Sequence, residues 1–317
     1  MPLQPDSGVF MQIYQINANL MAFYFKGDTE PDNPVLKNPP AEENWEVTCD
    51  RLGVAGYVIH NGDSAIVYDT LCSPAQAGEI RLYLERELGI AKFTVVLSHW
   101  HLDHVGGNAL YAQSNIVASC KTRQSLVQHK ASIEAGVLWG QPPINPLRLP
   151  DIVFAEAMSI YLGDLEAQLI NFNIHSEDGV AVYIPAHKIL LAGDMLEDTV
   201  SFVTNPEDSA VHIENYKRMR EMDIARILPN HGRSAVIKAG GYTKELIDST
   251  IYYLTALREE LSRDSDCAVA DLKTVMAPYL AKGVVNYWEP YEGVHRDNIE
   301  RVRAFIKSGR GSSRYGS

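Results

Sequence analysis

Three histidines and one aspartate lie within residues 98–108, and their types and spacing are suited to binding metal ions. The run reads Ser-His-Trp-His-Leu-Asp-His-Val-Gly-Gly-Asn, and three of the ten histidines fall within six residues. His99 and His101 are two positions apart, so in extended chain both side chains point the same way and can bind one ion. Asp103 and His104 follow, where a turn can bring a carboxylate and a third imidazole to a neighbouring position.

Two interpretations compete for these side chains: hydrogen-bonded residues of a core, or metal ligands. A single buried histidine is more often structural. Burying a whole cluster without a cation would cost roughly 1–3 kcal/mol for each polar group left unpaired. Imidazole together with carboxylate is the ligand set expected for Zn²⁺, and Fe and Mn also accept it. The sequence therefore predicts a metal site.

Strands and helices that could position this cluster alternate along the chain. Residues 93–97 are apolar and β-branched, which predicts a strand buried on both faces, and the cluster begins where this strand ends. Upstream, residues 54–69 read as a hairpin with its turn at Asn61-Gly62. A helix is expected to begin at Pro74. A strand–helix–strand unit of this kind indicates a sheet with helices packed on it.

The second half of the chain repeats this alternation. Strands are expected at residues 165–174, 180–184, 188–192 and 225–228, and helices at 210–222, 244–261, 269–277 and 297–306. Near the N-terminus, residues 11–25 are rich in strand-forming types. The Pro-, Asn- and Glu-rich residues 27–50 are expected to form a long surface loop. Together these elements predict an α/β fold.

The string His-x-His-x-Asp-His followed by Gly-Gly, placed after a strand, resembles the signature of the metallo-β-lactamase-fold hydrolases, in their two-metal branch. The resemblance implies a four-layer αββα sandwich with added C-terminal helices. It also implies further ligands in a fixed order, each of which the chain supplies. The implied ligands are His99, His101 and His175 for one ion, Asp103, His104 and His231 for the other, and Asp194 as the bridge between them.

The same resemblance implies residues around the ligands. Asp69 matches the family's first-motif aspartate and is expected to be buried behind the ligands, where it would orient the histidine loop. The weaker alternative is an N-cap for the helix at Pro74, from which four residues separate it. The substrate pocket is expected over the metal ions, walled by Trp100, Trp139 and Phe202. Alternatively, the last two pack beneath the C-terminal helices.

The function implied is that of a hydrolase with two divalent metal ions, Zn²⁺ before Fe or Mn. A hydroxide bridging the ions would attack a carbonyl-type carbon, and Asp103 would orient it or relay its proton. A lactone is the first choice of substrate. A thioester, as in glyoxalase II, and a β-lactam-like amide are the alternatives, because the fold alone does not choose a substrate. Asp194 stands where true β-lactamases usually carry Cys or Ser, whereas a bridging aspartate is typical of lactonases and thioesterases. A non-catalytic metal-binding protein is the remote alternative.

For domain organisation, we expect a metallo-β-lactamase-fold domain over residues 1–236, a helical extension packed on it over residues 237–307, and a flexible tail over residues 308–317. The C-terminal helices could cover the pocket or form the interface of a homodimer. The tail is expected to be flexible because it is rich in Gly, Ser and Arg.

Composition limits the partners. The net charge of -12 disfavours nucleic acid and an anionic membrane surface, because both attract Lys and Arg. No run of eighteen apolar residues predicts a membrane span. The N-terminus lacks a basic region before its apolar residues, and the four cysteines form no Cys-x-x-Cys pair. A cytoplasmic protein with reduced thiols and a small-molecule substrate is therefore expected.

Overall fold

Two β-sheets form the centre of the protein in a computed structural model that describes residues 11–25 and 44–308. The first sheet has seven strands in the order of the sequence: β1 (Met11–Asn17), β2 (Leu20–Phe25), β3 (Val54–Asn61), β4 (Ser64–Tyr68), β5 (Lys92–Val96), β6 (Asn115–Ser119) and β7 (Ile152–Phe154). Strands β1 to β4 pair antiparallel, and β4 to β7 pair parallel.

The second sheet has five strands: β8 (Ala157–Leu162), β9 (Leu165–Asn171), β10 (Val180–Ile184), β11 (Ile189–Gly193) and β12 (Arg226–Pro229). Their order in the sheet is β12-β11-β10-β9-β8. Neighbouring strands pair antiparallel except β11 and β12, which are parallel. The C-terminal ends of β11 and β12 therefore meet at the same edge of the sheet.

The α-helices of the described residues are α1 (Trp45–Leu52), α2 (Pro74–Glu87), α3 (Leu102–Val105), α4 (Cys120–Glu134), α5 (Ser209–Glu221), α6 (Ser234–Lys238), α7 (Glu245–Arg263), α8 (Leu272–Leu280) and α9 (Tyr291–Lys307). Short 3-10 helices lie at Asn108–Tyr111 and Pro206–Asp208. No helix in residues 11–25 and 44–308 is both long enough and apolar enough to cross a membrane.

Three hydrophobic cores separate four layers. Side chains of both sheets fill the middle core, α2 packs on the outer face of the first sheet, and α5 and α7 to α9 pack on the outer face of the second. Successive residues of β5 show why both faces are apolar, since Val95 belongs to an outer core and Val96 to the middle one. The fold is the αββα sandwich that the motif implied, with helices added after β12.

Most of the predicted elements are present within a few residues of their expected ends. The hairpin is formed by β3 and β4, with Gly62 at φ 58° in its turn. The helix from Pro74 is α2, capped by the Ser73 hydroxyl, which accepts a hydrogen bond from the backbone N–H of Gln76 (3.3 Å). The structure adds β6 and α4 between the histidine loop and β7, which local patterns did not reveal.

The prediction of one loop over residues 27–50 is wrong at its C-terminal end, where α1 begins at Trp45. The Asn44 side chain accepts a hydrogen bond from the backbone N–H of Val47 (3.1 Å) and caps the helix. Trp45 and Cys49 are buried in the outer core of the first sheet. This tertiary packing outweighs the loop-like composition. Residues 26–43, and residues 309–317 of the predicted tail, lie outside the described residues.

Candidate metal centre

Four segments, each following the end of a strand, bring the seven predicted ligands together at one edge of the sandwich. The histidine loop follows β5, and short segments after β9, β11 and β12 carry His175, Asp194 and His231. The ligand atoms form two neighbouring groups. We call them the histidine group (His99, His101 and His175) and the aspartate group (Asp103, His104, Asp194 and His231).

The histidine group consists of three buried imidazoles whose ligand nitrogens all lie within 4.8 Å of one another. The closest pair is His175 Nε2 and His101 Nδ1, which are 3.0 Å apart. The His99 ring contacts both others, with centroids 4.4 Å from His101 and 4.9 Å from His175. Three nitrogens converging at this range can hold one metal ion.

The aspartate group adds two carboxylates to two imidazoles, again within 4.8 Å. Asp103 Oδ2 lies 3.2 Å from His231 Nε2 and 3.4 Å from His104 Nε2. The Asp103 side chain is 15% exposed, whereas those of His104 and His231 are 0% and 3% exposed. Asp103 is therefore the member of this group that solvent or a substrate can reach.

Asp194 stands between the two groups. Its Oδ2 atom is 3.1 Å from His104 Nε2 and 3.6 Å from His231 Nε2, both in the aspartate group. The same atom is 3.8 Å from His99 Nε2 and 4.0 Å from His175 Nε2, both in the histidine group. One carboxylate thus faces ring nitrogens of both groups, which is the placement required of a bridge.

Asp69 is fully buried behind the predicted ligands. Its Oδ1 accepts a hydrogen bond from the backbone N–H of Ser98 (2.7 Å), which fixes the start of the histidine loop. Its Oδ2 accepts from Asn230 Nδ2 (2.6 Å) and lies 2.9 Å from His104 Nδ1. Because a carboxylate can only accept, His104 Nδ1 carries a proton, and Nε2 is the nitrogen that faces the aspartate group and would bind an ion. Asp69 makes no cap to α2, whose N-cap is Ser73.

Backbone carbonyls orient two further ligands in the same way. His175 Nδ1 donates to the carbonyl of Phe202 (3.0 Å), and His231 Nδ1 donates to the carbonyl of Gly53 (2.6 Å). A carbonyl oxygen has no proton to give, so each ring must carry its proton on Nδ1. In both histidines Nε2 is therefore the nitrogen that would bind an ion.

The charge environment differs between the groups. Burial lowers the pKa of every imidazole in the histidine group, to about 3 for His101. Burial also acts to lower the pKa of His231, but the carboxylates of Asp194 and Asp103 outweigh it and raise the pKa to about 10. The histidine group is therefore held in the neutral form that binds metal, whereas the carboxylates of the aspartate group favour positive charge beside them, which either protons on its imidazoles or a bound cation would supply.

Unpaired buried atoms at the centre fit the same conclusion. His99 Nε2 and Asp194 Oδ1 are both buried, and neither has a hydrogen-bond partner within the part of the chain that the structure describes. Such atoms are costly unless something binds them. Divalent cations bound by imidazole nitrogens and carboxylate oxygens would satisfy both, so the residues present fit metal ions.

Two of the three predicted pocket residues line the site on one side. Trp100 lies against Trp139, with ring centroids 4.9 Å apart, and Trp139 packs edge-on against His101 at 4.9 Å. Trp139 is 42% exposed. On its other face Trp100 stacks on His129, with centroids 5.0 Å apart. The contacts of Trp139 are with the histidine loop, which supports its assignment to a wall.

Phe202 has contacts expected of a pocket wall and also contacts expected of a residue packed beneath the C-terminal helices. Its ring lies 6.2 Å from the His175 ring of the histidine group. It also packs against the outer core that contains α7 to α9, and the Arg301 guanidinium of α9 lies 4.7 Å from its ring. Phe202 therefore connects the site to the C-terminal helices.

Sequence reasoning missed several residues that hold the ligands in place. Asp178 is buried and accepts hydrogen bonds from the hydroxyls of Ser176 (2.6 Å) and Thr122 (2.9 Å), which anchors the His175 segment to α4. Asn230 donates to Asp69, as described above. Its place directly before His231 in the sequence was the available signal, whereas the carbonyls of Gly53 and Phe202 gave none, because every residue has one.

Comparison with known proteins shows the family. The model of the metallo-beta-lactamase superfamily matches residues 49–231, which contain every predicted ligand. The chain belongs to the metallo-β-lactamase superfamily. The metallo-beta-lactamase type 2 of Bacteroides fragilis is 23% identical over 202 residues, which are 62% of this chain and 76% of that protein.

Solved structures of the superfamily share the fold at low sequence identity. A metallo-beta-lactamase from Pontibacter korlensis matches with a TM-score of 0.58 and 17% identity, over 78% of this chain and 99% of the other. One from Hirschia baltica matches with a TM-score of 0.54 and 17% identity, over 77% and 97%. Family, fold and the His/Asp cluster together make this superfamily member a metal-dependent hydrolase.

Proposed function

We propose that the protein is a two-metal hydrolase of carboxylic esters whose preferred substrate is a lactone. The observation that carries the two-metal proposal is the position of Asp194, whose Oδ2 lies within 4.0 Å of ring nitrogens from both groups. A carboxylate bridge is the feature that sets lactonase-type and thioesterase-type sites apart from those of true β-lactamases. The substrate choice rests on that bridge and on the apolar wall.

The histidine group would hold one ion and Asp103, His104 and His231 the other, with Asp194 shared between them. Zn²⁺ is the first choice, since imidazole and carboxylate ligands suit it, and Fe or Mn would also fit. When bound, two such ions supply a water molecule of lowered pKa and positive charge that polarises a carbonyl oxygen.

Asp103 would act at the boundary between the ligands and the substrate. It is the most exposed member of its group, and its Oδ2 is held 3.2 Å from His231 Nε2. From this position the carboxylate can orient the attacking water and accept its proton. Asp103 is therefore the residue we assign to catalysis besides its place as a ligand.

Trp100, Trp139 and Phe202 would bind the organic part of the substrate. Trp139 and Phe202 lie beside different members of the histidine group, through contacts with His101 and His175 respectively. Aromatic side chains beside a site exclude water and favour the binding of a ring or acyl chain. A small-molecule ester suits such surroundings, and association of the protein as a homodimer stays a prediction.

Two other substrate classes have specific support. The similarity to metallo-beta-lactamases of three bacteria favours a β-lactam amide, although these likenesses are at 17–23% identity and two of them show the fold alone. A thioester is favoured by the same bridging carboxylate that favours a lactone. The leaving group distinguishes the three, because an alkoxide, a thiolate and an amine differ in the protonation that they need.

The decisive experiment loads the full chain with Zn²⁺, determines the metal content, and measures kcat/KM for a lactone, a thioester, a cephalosporin and a phosphodiester. We expect two ions per chain and the highest kcat/KM for the lactone. Asp103→Asn or His101→Ala should lower turnover by orders of magnitude while the fold is kept, and Asp164→Asn, an exposed turn aspartate, should leave it unchanged. Near-full activity in either site variant, or a chain that takes up no metal, would refute the proposal.

A further inference from the structure

The segment that joins β11 to α5 is held by the C-terminal helix α9, which lies outside the residues matched by the family model. This segment carries Asp194 at its start and Phe202 in its middle. We propose that Asn298 of α9 is a positioning residue for His175, acting through the carbonyl of Phe202. The role of His175 as a metal ligand rests on the proposed function, whereas the positioning of its ring does not.

Asn298 is fully buried and forms hydrogen bonds with the backbone on both sides of Phe202. Its Oδ1 accepts a hydrogen bond from the backbone N–H of Val203 (2.7 Å), and its Nδ2 donates to the carbonyl of Ser201 (3.0 Å). A side-chain amide offers a donor and an acceptor next to each other, as a neighbouring β-strand would. The peptide groups before and after Phe202 are therefore both fixed by one side chain.

The Phe202 backbone itself forms two hydrogen bonds. The one at its nitrogen fixes its position, and the one at its oxygen orients His175. Its N–H donates to Glu197 Oε1 (2.9 Å), and Glu197 Oε2 accepts from the hydroxyl of Tyr291, also on α9 (3.1 Å). Its carbonyl accepts the proton of His175 Nδ1 (3.0 Å). The N–H of Phe202 is thus connected to α9 through Glu197 and Tyr291, and its carbonyl contacts the His175 ring.

The consequence for the site follows from the tautomer of His175. A correctly placed Phe202 carbonyl keeps the proton on Nδ1 and directs the Nε2 lone pair toward the other ligands. If the carbonyl moves away, the ring loses its orientation and can carry its proton on Nε2, where it cannot bind an ion. The histidine group should suffer from this change, and the aspartate group should not, because its imidazoles are oriented by Asp69 and Gly53.

A merely structural role for Asn298 would make a different prediction. Asn298 Nδ2 also donates to the hydroxyl of Tyr253 on α7 (3.1 Å), and that hydroxyl contacts His295 Nδ1 (2.9 Å). Tyr253→Phe removes these contacts between helices but leaves both bonds from Asn298 to the segment around Phe202. It is the matched control for a general loosening of the C-terminal helices.

The test is a calorimetric titration of the metal-depleted full chain with Zn²⁺. It compares the natural sequence with Asn298→Leu, Asn298→Asp and Tyr253→Phe. Asn298→Asp retains the shape and the acceptor for Val203 but loses the donor to Ser201, so it covers the case in which Asn298→Leu does not fold. We expect both Asn298 variants to bind one ion about 10–100-fold more weakly and the other as the natural chain does. Tyr253→Phe should bind both ions normally. Equal weakening of both ions, no weakening, or the same selective loss in Tyr253→Phe would overturn the proposal.

A second measurement needs no metal and separates this inference from the proposed function. Nitrogen-15 NMR of the histidine side chains reports which ring nitrogen of His175 carries the proton. We expect Nδ1 in the natural chain and in Tyr253→Phe, and a mixture or Nε2 in the Asn298 variants. An unchanged His175 spectrum in those variants would refute the positioning role. A chain that binds two ions but hydrolyses none of the four substrates would refute the proposed function and leave this inference standing.

Discussion

Replacing Asp69 by asparagine would test whether the metal centre depends on the buried hydrogen bonds behind it. Asp69 adopts a φ of 65°, a conformation that asparagine tolerates better than most residues, so the backbone should keep its course. The side chain keeps its size, and one oxygen can still accept the hydrogen bond from Ser98 N–H. What changes is the other end, where an NH₂ group replaces the oxygen that now serves His104 and Asn230.

The magnitude follows from those two contacts. The new NH₂ group would face two donors, Asn230 Nδ2 and the proton on His104 Nδ1. His104 can relieve one conflict by moving its proton to Nε2, and Asn230 can relieve the other only by rotating its amide, which leaves its NH₂ group without the carboxylate acceptor that it now has. The loss of one hydrogen bond to a charged acceptor predicts a stability decrease of about 1.5–3 kcal/mol for the metal-depleted chain. The moved proton also faces the aspartate group, so binding of its ion should weaken about 10–100-fold.

Urea unfolding of the metal-depleted chain measures the first effect, and calorimetric titration with Zn²⁺ measures the second. Asp164→Asn, the same change at an exposed turn, is the control and should alter neither quantity. We expect the weakened ion in Asp69→Asn to be the one held by the aspartate group, so the ion of the histidine group should bind normally. If Asp69→Asn has the same unfolding free energy as the natural chain and the same affinity for both ions, the role assigned to the hydrogen bonds behind the ligands is wrong.

Three further predictions concern the metal ions, the pocket wall and the response to acid. Chelation with EDTA should lower the unfolding free energy by about 4 kcal/mol for each ion removed, relative to free Zn²⁺ at 1,000 times its Kd, and an unchanged melting temperature would contradict a site that binds ions in the folded state alone. Trp139→Ala should raise KM for lactones with long acyl chains roughly tenfold and leave kcat and stability nearly unchanged, since the side chain is 42% exposed. If the substitution changes KM equally for lactones with short and with long chains, Trp139 is not a wall of the pocket. Burial, with a smaller contribution from His175, lowers the pKa of His212 to about 4, so its neutral form stabilises the fold above pH 6.5 and this contribution is lost as the pH falls toward 4. Between pH 7 and 5 the natural chain should therefore lose about 2 kcal/mol more unfolding free energy than His212→Asn, as measured by urea unfolding, and parallel losses would show that His212 is not buried neutral.

Local patterns in the sequence were sufficient wherever neighbouring residues decide the structure. The β-branched run before the histidine loop became β5, and the Asn-Gly turn became the β3–β4 hairpin. The same reasoning failed at α1, because Trp45 and Cys49 are helical through burial against the first sheet. No pattern within residues 27–50 records that contact.

The sequence by itself indicated which side chains meet at the metal centre, through the types and spacing of residues in the histidine loop and through the family resemblance that implied His175, Asp194 and His231. Only the tertiary structure decided how those side chains are oriented. The atoms that orient them are the carbonyl of Gly53, 178 positions from His231, and the carbonyl of Phe202, which is in turn fixed by Asn298, 95 positions beyond Val203. Backbone carbonyls are identical in every residue, and contacts over such separations exist only once the chain is folded, so a motif can name the ligands without showing what holds them.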